Sequence, residues 1–450
     1  MRTIICALVA CSVMMTATIA RASAQDETTG PQVSLTLHDA LALALANNLN
    51  YQAALADERA AEGQVIQARS VRSPSLSAGY SYVHTQNAGA FTFPVPSPTG
   101  PPQFKTIEVS AQNLNNVNAT LQYALYSGGS GQAAIGQAAA NLAGAQSQLA
   151  ATRSTVVRDV TNAYFQLAQT QRAAAVADEA VSVAEQNLTV SEQLFKAGTA
   201  ARADVLQQEV TRANSRVAAI QAHNAAALAN AQLANLLNIN LGSIITPTEP
   251  LEARTPSYTL TDLLEQAHNR PELAAAQDAV AIADLAVTIA RAATLPAVNL
   301  TVEDASSKPN FENVPQPQLS ETLAVTWKLF DGGLTHGRIV QARAQVDKAK
   351  INLKQLNNGV DLEVRQAYLN YSAALAQLDA AKSAQTSAQE NLRVSQIRFR
   401  AGVGTSLELS NALLASTQAQ NQNIAALAGL RIALVNVQRA AGLLPPPVSP

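Results

Sequence analysis

The chain has 450 residues, with 30 basic and 32 acidic side chains and a formal net charge of −2 at pH 7. This balance argues against a protein that binds nucleic acid, because such binding depends on an excess of Lys and Arg. Aromatic residues make up only 4% of the chain, which is too few for one large globular core.

The first 24 residues have the pattern of a secretory signal peptide. An apolar stretch over 4–19 is followed by Ala22-Ser23-Ala24, a small-residue cleavage site. Both cysteines lie in this leader, so the mature chain would contain no disulfide. The sequence before Cys11 also resembles a lipoprotein cleavage box, but its apolar run is short and continues past Cys11, which favours simple cleavage. Beyond the leader we expect no membrane-spanning helix, since no stretch of 18 apolar residues remains.

Each half of the mature chain opens with a predicted helix. Thr-x-x-Asp capping boxes occur at Thr36–Asp39 and Thr259–Asp262, and such boxes mark helix N-termini. The helical patterns continue to about residues 72 and 293, shortly before Pro74 and Pro296, and proline is not tolerated inside a helix. We therefore predict one continuous helix at the start of each half.

Alternation with period two predicts four strands. Their apolar faces are Ala78, Tyr80 and Tyr82; Leu121, Tyr123 and Leu125; Val298, Leu300 and Val302; and Leu323, Val325, Trp327 and Leu329. Pro-rich loops connect the first strand to the second and the third to the fourth, which predicts two hairpins. Each strand is about as long as a membrane-crossing strand of ~9–11 residues.

Four strands cannot close a barrel, and an open sheet edge cannot face lipid. If these strands cross a membrane, several protomers must therefore share one barrel. The aromatic residues Tyr126, Trp327 and Phe330 at strand ends suit an interfacial girdle. The alternative interpretation is a soluble four-stranded sheet with helical arms.

The chain is internally duplicated with an offset of 204 residues. A Y/F-x-G-G motif occurs at Tyr126–Gly129 and at Phe330–Gly333, and an F-x-A-G motif occurs at Phe195–Gly198 and at Phe399–Gly402. The Pro-free segments between these motifs keep the same register without an insertion. Because loops accept insertions readily, this segment of about 70 residues predicts one continuous helix about 100 Å long.

Apolar residues recur every seven positions along both long segments. The first stripe is Ile135, Leu142, Leu149, Val156 and Ala163, matched by Ile339, Val346, Leu353, Val360 and Ala367; the second is Val160, Leu167, Ala174, Val181, Leu188 and Phe195, matched by Val364, Tyr371, Leu378, Gln385, Leu392 and Phe399. A seven-residue repeat buries a seam against a neighbouring helix as a left-handed coiled coil. The jump of four residues between the stripes is a stutter. The rods alone would also fit a cytosolic structural coiled coil.

The predicted organisation has five parts. These are a signal peptide at 1–24, a first repeat at 25–240, a linker at 241–257, a second repeat at 258–442 and a Pro-rich tail at 443–450. The linker and the tail would lie outside the rods.

The order of these elements resembles the TolC-like outer-membrane efflux family: helix, strand pair, Y/F-x-G-G, long helix, F-x-A-G turn and returning helix. The resemblance covers essentially the whole mature chain. It implies a mainly α-helical fold with a small β part, in which three protomers form a 12-stranded barrel on a helical tunnel through the periplasm. It also implies an exit channel, not an enzyme, which works with a periplasmic adaptor and an inner-membrane transporter in drug or metal efflux or in type I secretion.

The resemblance assigns roles to the hairpin ends. Ala197, Gly198 and Thr199 and their counterparts Ala401, Gly402 and Val403 would form periplasmic tips on which the adaptor docks. Glu408 and Asn411 match acidic positions that ring the aperture in the family, so three Glu408 carboxylates would surround one axis and attract cations. Phe399 and Gly404 replace a Tyr and an Arg that latch the gate in better-known members. Arg202 and Asp204 are the hypothetical substitutes for that latch.

Other functions find little support in the sequence. A group of glycines after Gly128 looks like a phosphate loop, but no Lys-Ser or Lys-Thr follows Gly136. The five histidines have no metal-ligand spacing, and the Ser and Asp residues form no catalytic constellation. We therefore expect no cofactor, no metal site and no enzymatic activity. A soluble periplasmic coiled-coil interaction protein remains the alternative from another class.

Overall fold

The computed structural model describes residues 31–85, 90–96, 100, 103–108, 112–253, 255–309 and 318–444. The signal peptide and most of the Pro-rich tail lie outside this part of the chain. The fold is mainly helical. Its elements are β1 Gln32–Leu35, α1 Leu37–Asn47, α2 Leu49–Ser70, β2 Ser75–Thr85, β3 Ala90–Val95, β4 Gln103–Glu108, β5 Gln112–Tyr126, α3 Ser130–Lys196, α4 Arg202–Leu236, β6 Ile244–Pro247, α5 Leu260–Ala267, α6 Pro271–Ala292, β7 Ala297–Pro309, β8 Gln318–Thr326, α7 Leu334–Arg400 and α8 Ser406–Ala440.

The two long helices confirm the prediction from the ungapped register. Helices α3 and α7 have 67 residues each, which corresponds to about 100 Å. Each begins after a Gly pair in the left-handed region, with φ of 85° at Gly129 and 90° at Gly333. Gly128 has a second requirement, because a Cβ there would lie 2.7 Å from the carbonyl oxygen of Ala292. The Y/F-x-G-G motif thus turns the chain tightly from strand into rod.

The prediction of one continuous opening helix in each half was wrong. Asn48 separates α1 from α2; its Oδ1 accepts from the backbone N–H groups of Asn50 and Tyr51, and its Nδ2 donates to Leu236 O. In the second half Arg270 lies before Pro271, which begins α6. The residue before a proline is excluded from helical dihedrals, so α5 must end first.

Among the described residues, Leu260–Ala292 contains one 18-residue window with mean hydropathy 1.6, which by length and composition is apolar enough to cross a membrane. The window includes Gln277, Asp278 and Asp284, so it is not an unbroken apolar stretch, and the absence of a membrane-spanning helix after the leader stays a prediction. The segment comprises α5 and α6, which pack against α7 and, for α6, against α3. It is thus part of the helical rod, and its hydropathy comes largely from alanine.

The four-stranded sheet has the order β2-β5-β7-β8 with antiparallel pairing throughout. This confirms the two predicted hairpins and adds the β5–β7 pair that joins them. The fourth strand is shorter than predicted, since β8 ends at Thr326 and leaves Trp327 and Leu329 beyond it. Trp327 Nε1 instead donates to Thr294 O, at the end of α6.

Two small sheets were not predicted. Strands β3 and β4 pair within the first Pro-rich loop, and β1 pairs in parallel with β6 of the linker. Ile245 of β6 is fully buried against α1, α3 and α4. The linker is therefore tied to the first repeat half-way along its rod, where a core forms; α5, α7 and α8 form the corresponding core of the second repeat.

The helices pack in two sets along the rods. Near the sheet the lateral order is α2, α3, α6, α7; farther away α4 packs on α3, α3 on α8 and α8 on α7. The heptad stripes face these neighbours. Buried members include Val156, Val160, Leu167, Val360, Val364, Tyr371 and Leu378. Ile135, Leu142 and Leu149 are only half-buried in the single chain.

Candidate functional site at the hairpin tips

Both hairpins turn through the same backbone geometry. Gly198 and Gly402 have φ of 77° and 74°, the left-handed conformation that glycine adopts without steric cost. The N–H groups of Thr199 and Val403 return to Leu194 O and Arg398 O, which closes each helix end. The predicted tip residues are all exposed: Ala197, Gly198, Thr199, Ala401, Gly402 and Val403.

The returning helices α4 and α8 start with different caps. Asp204 Oδ2 accepts from Ala201 N–H at 3.1 Å, whereas Thr405 Oγ1 accepts from Glu408 N–H at 3.1 Å. Asp204 and Glu408 are equivalent under the 204-residue offset. Their carboxylates nevertheless face different partners, because the neighbouring side chains differ.

Asp204 contacts the second repeat, and a latch formed by Arg202 and Asp204 stays a prediction. Its Oδ1 accepts from Ser406 Oγ at 2.6 Å. One turn on, Gln208 Nε2 donates to Ser406 O at 3.0 Å and to Ser410 Oγ at 3.1 Å. Thr211 Oγ1 lies 2.9 Å from Ser410 Oγ. We call these five residues the cross-repeat ladder, and it joins the N-terminal turns of α4 and α8.

The centre of the cross-repeat ladder is closed to solvent. Gln208 is 0% and Ser406 6% exposed, so their hydrogen bonds form away from competing water. Gln208 Oε1 is buried without a partner among the described residues. Sequence reasoning missed Gln208, Ser406 and Ser410. The available signal was the i, i+4, i+7 spacing of polar residues from Asp204 along α4, which places them on one helix face.

The other predicted residues occupy distinct positions. Glu408 is exposed and forms an ion pair with Arg398, with 3.6 Å between Oε1 and Nε. Asn411 is exposed and borders a groove of about 340 Å³ between the two hairpins. Phe399 is 4% exposed, whereas its counterpart Phe195 is 40% exposed. Arg202 lies exposed at the start of α4, and the cross-repeat contact is made by Asp204.

A second group of charges, also missed, lies at the far end of α8. Arg270 is 4% exposed and binds Glu272 at 2.9 Å and Glu363 at 2.7 Å. Arg439 pairs with the same two carboxylates. Burial alone would raise the pKa of Glu272 and of Glu363, but the hydrogen bonds from Arg270 lower both below their usual range. This cluster fastens α6, α7 and α8 together.

A second buried arginine links the two repeats. Arg431 of α8 pairs with Glu249 of the linker at 2.5 Å and lies 4.7 Å from the ring centroid of Phe165 in α3. Within the described part of the chain no group of three or more His, Cys, Asp or Glu side chains could hold a metal ion. The hydrogen bonds and ion pairs of the site connect neighbouring helices to one another.

Comparisons with known proteins agree with this architecture. Protein CyaE of Bordetella pertussis is 29% identical over 339 residues, 73% of this chain and 71% of that protein. The outer membrane efflux protein BepC of Brucella suis is 23% identical over 90% of this chain and 83% of that protein. The alkaline protease secretion protein AprF of Pseudomonas aeruginosa is 27% identical, and the match spans about half of each protein.

The fold matches that of solved outer-membrane channels. The CmeC channel of Campylobacter jejuni superimposes with a TM-score of 0.77 at 17% identity, over 90% of this chain and 85% of CmeC. The sequence model of the family described as outer membrane efflux protein matches residues 40–239 and 263–443. The resemblance seen in the sequence is thereby confirmed, and the chain belongs to the outer membrane efflux protein family.

Proposed function

We propose that three copies of this outer-membrane exit channel form one passive duct. Four strands from each copy close a 12-stranded barrel, and the rods below it enclose a tunnel through the periplasm. The observation that carries the proposal is the four-stranded sheet with two open edges, β2 and β8, at the top of rods about 100 Å long. An open edge cannot face lipid, so the sheet is complete only with further copies.

The duct receives substrates from an inner-membrane transporter through a periplasmic adaptor. Tripartite efflux is the first candidate, because the relative named as an efflux protein, BepC, matches over 90% of this chain. Protein secretion is the second candidate, because AprF, named as a secretion protein, is 27% identical over its matched half. In either case the channel does not drive transport itself, and the energy comes from the inner-membrane partner.

The hairpin tips form the periplasmic gate in this proposal. The cross-repeat ladder holds the α7–α8 hairpin against the α3–α4 hairpin, which keeps the aperture narrow. Three copies of Glu408 and Asn411 line that aperture, and Arg398 neutralises part of the Glu408 charge. The small exposed residues of the two turns, Ala197–Thr199 and Ala401–Val403, dock the adaptor.

The first test is the native mass of the protein extracted in detergent from isolated outer membranes, followed by conductance in planar bilayers. A trimer that forms ion-conducting channels supports the duct. A monomer or dimer in the soluble periplasmic fraction overturns it. Deletion of the gene then separates the two candidates: efflux predicts retention of small dyes in the cell, and secretion predicts loss of a protein from the medium.

A further inference from the structure

Helix α3 forms the base of the groove that lies between α4 and α8 near the tip. Residues spaced by four and three positions share one face of a helix, and Ala173, Ala177 and Ala180 are such a stripe. They line the groove of about 340 Å³ together with residues of α4 and α8. Toward the tip the stripe continues with Ala184, which packs with Ala180 against Leu413 of α8. The groove thus has α3 as its base and α4 and α8 as its walls.

Two polar residues continue this stripe toward the tip. Asn187 is 4% and Ser191 is 0% exposed, and we call these two residues the polar floor. Within the described part of the chain, neither Asn187 Nδ2 nor Ser191 Oγ has a hydrogen-bond partner. A buried polar group without a partner destabilises the conformation in which it occurs. The arrangement of the tip in this structure therefore leaves hydrogen-bonding capacity of α3 unused.

Gln208 of α4 lies at nearly the height of the polar floor. Glu185 and Arg216 form an ion pair of 2.5 Å across the α3–α4 hairpin and fix its register. Toward the tip, Ser191 follows Glu185 by six residues and Gln208 precedes Arg216 by eight. The two positions therefore differ in height by two residues, or about 3 Å. This difference is within the reach of a glutamine side chain.

The Gln208 amide is only partly paired. Its Nε2 donates to Ser406 O at 3.0 Å and to Ser410 Oγ at 3.1 Å, so both of its protons are used by α8. Its Oε1 is buried, and no described residue donates a hydrogen bond to it. Ser191 Oγ and Asn187 Nδ2 on the polar floor are donors without an acceptor. An unused acceptor and two unused donors thus lie in the same buried layer of the tip.

We propose that Gln208 is a two-position switch of the periplasmic gate. In the closed position its amide binds Ser406 and Ser410 of α8, as in this structure. When α8 withdraws, the side chain turns toward α3, and Gln208 Oε1 accepts a hydrogen bond from Ser191 Oγ. The switch rests on the proposed function, because its second position belongs to the open, conducting duct.

The second partner lowers the free energy needed to open the tip. Without it, withdrawal of α8 would break the two hydrogen bonds of the Gln208 amide and replace neither within the hairpin. The bond with Ser191 replaces one of them. An element with two positions of similar free energy is shifted by a partner that prefers one of them only modestly. The tip can therefore respond to a partner that binds the open form only somewhat more tightly.

The second hairpin has the serine but not the glutamine. Ser395 is the equivalent of Ser191 and is 4% exposed, whereas the equivalent of Gln208 is Ala412. An alanine side chain cannot form a hydrogen bond in either position. The switch thus belongs to the α3–α4 hairpin, and Ser395 provides a matched control for Ser191.

Ser191→Ala tests the switch in single-channel recordings of the purified protein. The variant removes the donor of the open position and keeps the bonds between Gln208 and α8. We therefore expect the open-to-closed ratio to fall about 2- to 10-fold per protomer. Ser395→Ala should leave the ratio unchanged. An unchanged or higher ratio in Ser191→Ala refutes the switch.

The same substitution in a Gln208→Leu background separates the switch from simple hydration. If opening merely exposes the Ser191 hydroxyl to water, Ser191→Ala favours the closed tip whatever residue 208 is. The switch requires Gln208, so in the Gln208→Leu background Ser191→Ala should lower the ratio less, or not at all. A decrease at least as large in both backgrounds refutes the switch and leaves the proposed function standing. Absence of channels from the unmodified protein refutes both.

Discussion

The cross-repeat ladder predicts how easily the tip opens. Gln208→Leu removes the two hydrogen bonds to Ser406 and Ser410 while nearly keeping the side-chain volume. Each bond contributes about 0.5–1.5 kcal/mol, so the closed tip loses about 1–3 kcal/mol, or about 5- to 150-fold in the closed-to-open ratio. Leucine also removes the unpaired buried Gln208 Oε1, which offsets part of this loss. We therefore expect the closed-to-open ratio of the tip to fall by about fivefold per protomer, near the lower end of this range.

The assay is single-channel recording of the purified protein in planar bilayers. The expected result for Gln208→Leu is a higher open probability or a larger resting conductance at unchanged native mass. Gln418→Leu is the matched control, because Gln418 is an exposed glutamine on α8, outside the ladder. If Gln208→Leu conducts like the unmodified protein while remaining trimeric, the ladder does not hold the tip closed.

Three further predictions follow from the other charged and buried groups. Glu408→Ala weakens the block of single-channel current by divalent cations. Arg398→Ala strengthens this block, because the Glu408 carboxylate loses its ion pair with the guanidinium. Unchanged block in both variants contradicts the aperture assignment. The lowered pKa values of Glu272 and Glu363 stabilise the fold above the ordinary carboxyl pKa of about 4.3, and this stabilisation is lost as the pH falls through the lower folded values. The melting temperature should therefore drop on acidification below about pH 4.5, and Glu363→Gln should reduce that dependence. Tyr164→Phe leaves Leu35 O and the Glu249 N–H without the buried hydroxyl and costs about 1–3 kcal/mol, measured as a lower denaturant midpoint.

The long helices and the four-stranded sheet could be predicted because their signals are local and repeated. An ungapped register over α3 and α7 leaves a continuous helix as the simplest explanation, and period-two alternation identifies β2, β5, β7 and most of β8. These patterns follow from side-chain periodicity alone. They do not depend on which helix packs beside which.

The breaks in the opening helices needed information from farther along the chain. Asn48 caps α2 and also donates to Leu236 O at the end of α4, 188 residues away. In the second repeat Arg270 makes the corresponding contact with Ala440 O. The sequence pattern around Asn48 remains helical, so only the returning helix shows why the chain turns there, whereas Pro271 marks the break in the second half within the sequence itself. Strands β1 and β6, with four residues each, are too short for periodicity to reveal.

The cross-repeat ladder could not be predicted from the sequence, for a different reason. It depends on α4 and α8 lying side by side at the tip, a lateral contact that no periodicity encodes. Asp204 could be identified because it follows a turn motif, but Gln208 looks in the sequence like any polar residue of a helix. The equivalents of Gln208 and Thr211 in the second repeat are Ala412 and Ala415. A search for equivalent polar residues in both copies therefore passes over the site.

The residues proposed to act in the gate lie at positions where the two repeats differ in sequence. The two repeats share their backbone, yet Phe399 is buried and Phe195 is half-exposed, and polar side chains line α4 where small ones line α8. A duplicated chain needs its internal joins and its joins to other copies to differ, because an edge that also fitted the internal surface would pair in the wrong register. The cross-repeat ladder is an internal join of this kind, because it uses Gln208 and Thr211 of α4, whose equivalents in α8 are Ala412 and Ala415.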